Sequence, residues 1–286
     1  MSISKEINVR GKVTYWTLGS QTDAEALRKE LEILQLSKFA PDNNTNKASL
    51  KIALERVCGN RRRLVRPLPA GERGYAIVTE TKDQNGKSLD HSVDFDVLLP
   101  DGVDVPVFRD PETGAILNPP EEANILHRYN LERDRCSSHK LGIALARIVD
   151  GLHGVSLRPT GGFYWIPEGA LEKWNAVGAA IERCSSDRSN IVYSLKTAMD
   201  ESMKRAVIDG LSRELSGEIA TMEESVLTDD LGKRALKTKQ ERCERLRSRV
   251  IGYKKMFQVS LSSLEDSLER VESAVSLAAL SGMGGI

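Results

Sequence analysis

The chain has 286 residues, 41 Lys+Arg against 41 Asp+Glu, four cysteines and a mean hydropathy of -0.34. That length accommodates one or two domains with cores of their own, and the balanced charge creates no global field toward nucleic acid or an anionic membrane, so partners must be argued from local segregation. No stretch approaches about 18 uninterrupted apolar residues, Met1–Glu6 opens no apolar signal region, and Cys58, Cys136, Cys184 and Cys243 form no C-x-x-C pair; the expectation is a cytoplasmic chain with reduced thiols and no membrane partner.

In chain order, Ile7 to Leu18 reads as a strand, with Val9, Val13, Tyr15 and Trp16 as its β-prone side chains. Thr22 and Glu25 have the spacing of a capping box, and Ala26, Leu27, Leu31 and Leu34 give the following helix, Asp23 to Leu36, one apolar face. Pro41 and the polar run 42–46 interrupt the chain before a second helix, Lys47 to Val57, which Gly59 ends. The period then changes to two. Tyr75–Glu80 and Ser92–Leu98 flank the turn dipeptide Asn85–Gly86, and Val93, Phe95 and Val97 alternate with Ser92, Asp94 and Asp96, which predicts a hairpin with one wet face. Val103–Phe108 is expected to add a strand.

Pro119–Pro120 introduces helices at Glu121–Arg135 and Lys140–His153, the second stopped by Gly154. Ser156–Pro159 and Phe163–Pro167 read as short strands around Thr160-Gly161-Gly162. A helix from Pro167 or Glu168 carries Leu171, Trp174, Val177 and Ile181, and Ile191–Leu195 is a final strand. From Asp200 the pattern is helical: one arm to Leu227, a break at Thr228–Gly232, and a second arm of roughly 45 residues, as its unbroken periodicity implies. That second arm keeps an a/d seam from Cys243 to Ala278 through Leu246, Val250, Tyr253, Phe257, Leu261, Leu264, Leu268, Val271 and Val275. Two four-residue steps meet at Phe257, a stutter. The reading is an α+β fold: a small antiparallel sheet with flanking helices, then a long C-terminal antiparallel helical hairpin of coiled-coil type. It divides the chain into 1–118, 119–199, 200–280 and a tail at 281–286.

Three groups of residues invite a functional reading. Residues 233–255 hold ten Lys/Arg against Glu241 and Glu244, a net of +8, while 201–230 hold eight acids against three bases, a net of −5. Mutual compensation in an antiparallel hairpin is the leading explanation, with a phosphate-binding stripe of Arg242, Arg245, Arg247, Arg249, Lys254 and Lys255 as the alternative. Arg61-Arg62-Arg63 with Arg66 and Arg73 forms a second basic spot suited to protecting a strand edge. The string Arg158-Pro-Thr-Gly-Gly-Phe-Tyr-Trp-Ile-Pro167 sets three aromatics in succession, which cannot all share one face of a strand; one or two of Phe163, Tyr164 and Trp165 are expected at the surface or under a neighbouring element, the leading reading being a tight hairpin that docks its rings on the helix containing Trp174 and the alternative an exposed aromatic recognition site. His127, Cys136, His139 and Asp134 lack a zinc spacing, Asp90, His91, Asp94 and Asp96 read as a water-facing strand, and no phosphate loop, serine elbow or H-E-x-x-H motif occurs, so no metal, cofactor or catalytic residue is assigned.

The opening strand and capped helix (Gly11 to Leu36), the short helix around Ala48–Ala53, the hairpin sheet and the R-P-T-G-G-x-Y-x-x-P string resemble, over about the first 170 residues, a family of uncharacterised proteins encoded by bacteriophages and bacteria. The resemblance implies a phage or prophage setting, hence a bacterial host cytoplasm, and no reaction. The function expected is non-enzymatic: self-association or docking to another protein, through Leu261, Leu264, Leu268 and Val271 of the seam and the Phe163–Trp165 aromatics. A nucleic-acid accessory protein and an enzyme with a scattered site are the alternatives.

Overall fold

The computed structural model describes residues 11–59, 63–82, 88–228 and 233–281. In its first half the strands are β1 (Gly11–Thr17), β2 (Thr22–Asp23), β3 (Arg63–Pro67), β4 (Gly74–Lys82), β5 (Ser88–Leu98) and β6 (Val107–Arg109), and the helices α1 (Ala24–Ile33) and α2 (Asn46–Val57). Then come α3 (Glu122–Arg133), β7 (Arg135–Cys136), α4 (Ser138–Gly151), β8 (Val155–Ser156), β9 (Tyr164–Pro167), α5 (Leu171–Arg183) and β10 (Ile191–Lys196). Three helices close the chain, α6 (Glu201–Thr228), α7 (Lys233–Phe257) and α8 (Ser262–Ser281). The protein is α+β, with antiparallel sheets and C-terminal helices packed on one another. The contacts of the described residues group into two units, one of Thr17–Ala144 with Ala180–Ile191, the other of the described residues up to Trp16 with Leu145–Ala179 and those from Val192 on.

In the first unit the antiparallel sheet runs β3-β4-β5-β6. Tyr75, Ile77, Phe95, Val97 and Phe108 point from it to one side, where Leu50, Ala53 and Leu54 of α2 and Ile125 and Tyr129 of α3 close the core. The period-two alternation exists because only this face is covered. Three expectations change here. Ile77 pairs with Phe95 but Val78 with Val93, so Asp94 is an extra residue in β5; this bulge puts Val93 on the surface, 44% exposed, instead of beside Phe95. Asp96, expected in water, is buried and accepts a hydrogen bond of 2.8 Å from Arg109 Nη2. The strand expected from Val103 is confined to Val107–Arg109, and Val103 and Val105 are exposed. Residues 60–62 and 83–87, with Arg61, Arg62 and the Asn85–Gly86 turn, lie outside the described residues.

The cap of α1 is Asp23, whose carboxylate accepts the Ala26 N–H at 2.8 Å, so the box expected from Thr22 and Glu25 does not form. Thr22 is buried instead, accepting a hydrogen bond of 2.7 Å from Asn190 Nδ2. Thr45 caps α2 through its hydroxyl oxygen, which accepts the Ala48 N–H.

The second unit is built on a sheet of order β10-β1-β9-β8, in which Val13 lies opposite Trp165 and Trp165 opposite Val155. Thr14 lies on the α5 side, where the Trp174 indole N–H donates to its hydroxyl oxygen at 3.0 Å. Val13, Val155 and Trp165 belong to a core completed by α6, α7 and α8. Every seam residue from Cys243 to Val275 is buried in that core. The second helical arm, however, is two helices. Gln258 takes a φ of 53°, the left-handed region that ends a helix, and α8 folds back against α7 and α6. The stutter at Phe257 is thus a chain reversal, with Phe257 and Leu261 entering one core from either side of the turn.

Candidate functional site

The Gly-Gly turn sets out the aromatic string in the second unit. Gly161 takes a φ of 84°, a conformation that a β-carbon disfavours, and the Leu157 N–H donates to the Phe163 carbonyl at 2.9 Å to close the hairpin. Alternation then separates the three rings. Trp165 is fully buried, with ring centroids 5.8 Å from Phe257 and 6.2 Å from Tyr253. Tyr164 goes to the other face and stacks on Trp16 at 5.0 Å. Phe163 is 37% exposed and stacks on Tyr15 at 5.1 Å, and Tyr15 stacks on Tyr193 of β10 at 4.6 Å. These spacings match the roughly 4.8 Å between neighbouring strands, so the three rings form a cross-strand ladder, one ring per chain segment. Arg158 stands over the outer side of this row, 5.4 Å from the Phe163 ring. At the other end, among the described residues, the ladder stops with Tyr193 of β10, the strand at the edge of the sheet beside β1.

The seam side chains Leu261, Leu264, Leu268 and Val271 close the unit's own core and, like Trp165, have almost no accessible surface. Of the string, Phe163 supplies the exposed ring.

Among the described residues, four basic side chains of α7 are paired with carboxylates inside the chain. Arg242 pairs with Glu218 of α6 at 2.9 Å, Arg247 with Glu272 of α8, and Lys254 with Glu265 of α8 at 2.8 Å. Arg249 is 4% exposed and donates to Asp150 Oδ1, Glu214 Oε2 and the Gly154 carbonyl, each at 2.7 Å. Glu214 also accepts the Ser156 N–H at 2.7 Å. Burial pushes the Glu214 carboxyl above its ordinary range while Arg249 opposes the shift. Tyr253, one helical turn on, donates its hydroxyl proton to the His153 carbonyl. A buried cation held by two carboxylates cannot reach a phosphate, so Arg249 does not belong to a nucleic-acid stripe; Arg245 and Lys255 remain exposed on α7. Sequence reasoning missed this hub. The signal was its position, immediately before Val250 of the seam, where a charged side chain must either snorkel or find partners.

The remaining clusters are structural. Arg63 bridges Asp94 at 2.9 Å and Glu121 at 2.7 Å, and Arg73 pairs with Asp101. Glu132 is buried beneath Arg135 at 2.8 Å and Arg128 at 2.9 Å. All four cysteines are free and buried, and burial pushes the thiols of Cys58, Cys136 and Cys184 up to about 11, which keeps them protonated near neutrality. Among the described residues, no group of three or more His, Cys, Asp or Glu side chains is placed to hold a metal ion, and no helix is long and apolar enough to cross a membrane.

The fold and these surfaces define a mixed α+β protein whose second unit joins an aromatic sheet to a three-helix core. Residues 9–281 match the model of a family of unknown function, DUF6744, and the chain belongs to that family. No curated protein matches the chain, and no solved structure does.

Proposed function

We propose that this chain is a non-enzymatic, self-assembling accessory protein whose copies join at β10. The observation that carries this reading is the ladder Phe163, Tyr15, Tyr193, which climbs the sheet one strand at a time and ends at an edge strand. Natural sheets blunt such edges with charge, proline or a covering element, whereas β10 exposes Leu195 at 45% and places its one charge, Lys196, at the end. A second copy is the occupant the geometry favours. If two β10 strands meet antiparallel about Tyr193, each residue of one finds its counterpart on the other, and the two ladders continue into a single run of stacked rings.

Multi-angle light scattering at micromolar concentration tests this. The expected result is a dimer that Tyr193→Glu and, independently, Leu195→Lys convert to monomer while the melting temperature stays within a few degrees. A monomeric parent chain would overturn the proposal.

The R-P-T-G-G-x-Y-x-x-P string supports a phage or prophage setting, and the protonated, unpaired cysteines fit a reducing cytoplasm. A second reading rests on Arg234, Lys237, Arg245 and Lys255, which are exposed on α7 without a carboxylate partner among the described residues. In that reading the four cations give weak contact with nucleic-acid phosphates.

A further inference from the structure

Within the second unit, α7 faces the loop after α4 and the start of α5 across a cavity of about 420 Å³, within the roughly 300–1,000 Å³ usual for small-molecule sites. Its walls are largely apolar, with Leu152, Pro167, Ala170, Tyr253 and Met256 among them. None of its lining residues is acidic. Two basic side chains line it instead. Lys173 is half-buried and has no ion pair among the described residues. Arg249 is more than nine-tenths buried, and after its bonds to Asp150, Glu214 and Gly154 its Nε–H is left without an acceptor. That N–H has no accessible surface, so Arg249 closes the wall and Lys173 is the cation a ligand can reach.

Gly252 is the second line of argument. It lies inside α7, where glycine is the poorest helix former short of proline, and a β-carbon added there would meet no atom within 4 Å. Packing therefore does not demand a glycine at this position. What the missing side chain leaves open is the cavity that Gly252 lines, facing Gly169, which likewise has open space where a β-carbon would stand.

We propose that this cavity binds a small amphipathic acid: an apolar or aromatic body lying against Tyr253 and Met256, with one carboxylate or sulfonate group met by Lys173. The site is independent of the β10 edge, and its occupancy does not depend on oligomeric state.

Fluorescence titration with 1-anilinonaphthalene-8-sulfonate tests it, with the uncharged N-phenyl-1-naphthylamine as comparison. The sulfonate should bind at one saturable site, and the amine roughly tenfold more weakly, because the charge-assisted bond to the lysine is lost. Gly252→Leu fills the cavity and should weaken sulfonate binding more than tenfold without lowering the melting temperature. Gly217→Leu, at an exposed helical glycine of α6 with equally open surroundings, should leave binding unchanged. Lys173→Gln alters a side chain that no ion pair holds; it should weaken the sulfonate about tenfold and spare the amine, and it decides the matter should Gly252→Leu fail to fold. Absence of saturable binding, or equal sulfonate affinity in the parent chain, Gly252→Leu and Lys173→Gln, overturns the proposal.

Discussion

Arg249 and Arg247 stand two residues apart on α7 and carry the same charge, yet burial gives them different weight. Arg247 pairs with Glu272 at the surface, where water and salt screen the attraction, so Arg247→Ala should change stability by at most about 1 kcal/mol. Arg249→Ala removes a buried guanidinium and leaves the part-buried Glu214 without its counterion, while Asp150 keeps access to water, so a loss of about 2–3 kcal/mol is expected by urea denaturation. A parallel loss in the two variants would show that the hub is solvated. The Glu214 carboxyl adds a pH signature. Its folded value lies above its unfolded one, so the folded state holds the extra proton in the window between them, and the Glu214 contribution to stability falls as pH rises through that window. Relative to Glu214→Gln, the parent chain should therefore lose stability from the ordinary glutamate range upward; a difference that is flat with pH would refute the shift.

Among the elements, the turns carry more of the outcome than the helices and strands they connect. Gly161 with φ of 84° sends Phe163, Tyr164 and Trp165 to alternate faces, and Gly161→Val should cost on the order of 1–2 kcal/mol by thermal denaturation because it forces a β-branched residue into the left-handed region. Stability equal to the parent would mean the turn can relax to another conformation. Leu264→Asp places a carboxylate among apolar side chains of α6, α7 and α8 and should lower stability by about 3 kcal/mol or more; unchanged melting would mean α8 does not pack there. The positive-φ turn after Phe257 was written in the sequence only as an irregular step in the seam. Period alone cannot separate a stutter in one long helix from a reversal between two, because both keep the apolar residues on a buried face. The bulge at Asp94 was hidden for a similar reason: alternation reads smoothly through it, and the partner strand decides which residue is left over.

For the whole molecule, pairing of α7 with Glu218, Glu265 and Glu272 takes up part of its charge, and the exposed cations that remain support only sequence-independent phosphate contacts, so binding to DNA or RNA should be weak and gone by about 0.2 M salt. Submicromolar binding at that salt, lost on removing Arg245 and Lys255, would promote the nucleic-acid reading over self-assembly. The sequence by itself determined the α+β class, the approximate limits of most elements and the burial of the seam. These follow from spacings among near neighbours, which act before the chain has chosen its long-range partners. Only the tertiary structure decided that the first strand pairs with the aromatic string, that one arm divides into α7 and α8, that Arg249 is buried between carboxylates from two different segments, and that a ladder of rings ends at Tyr193. Each of these depends on which face meets which, and an apolar period says that a face must be covered without saying by what.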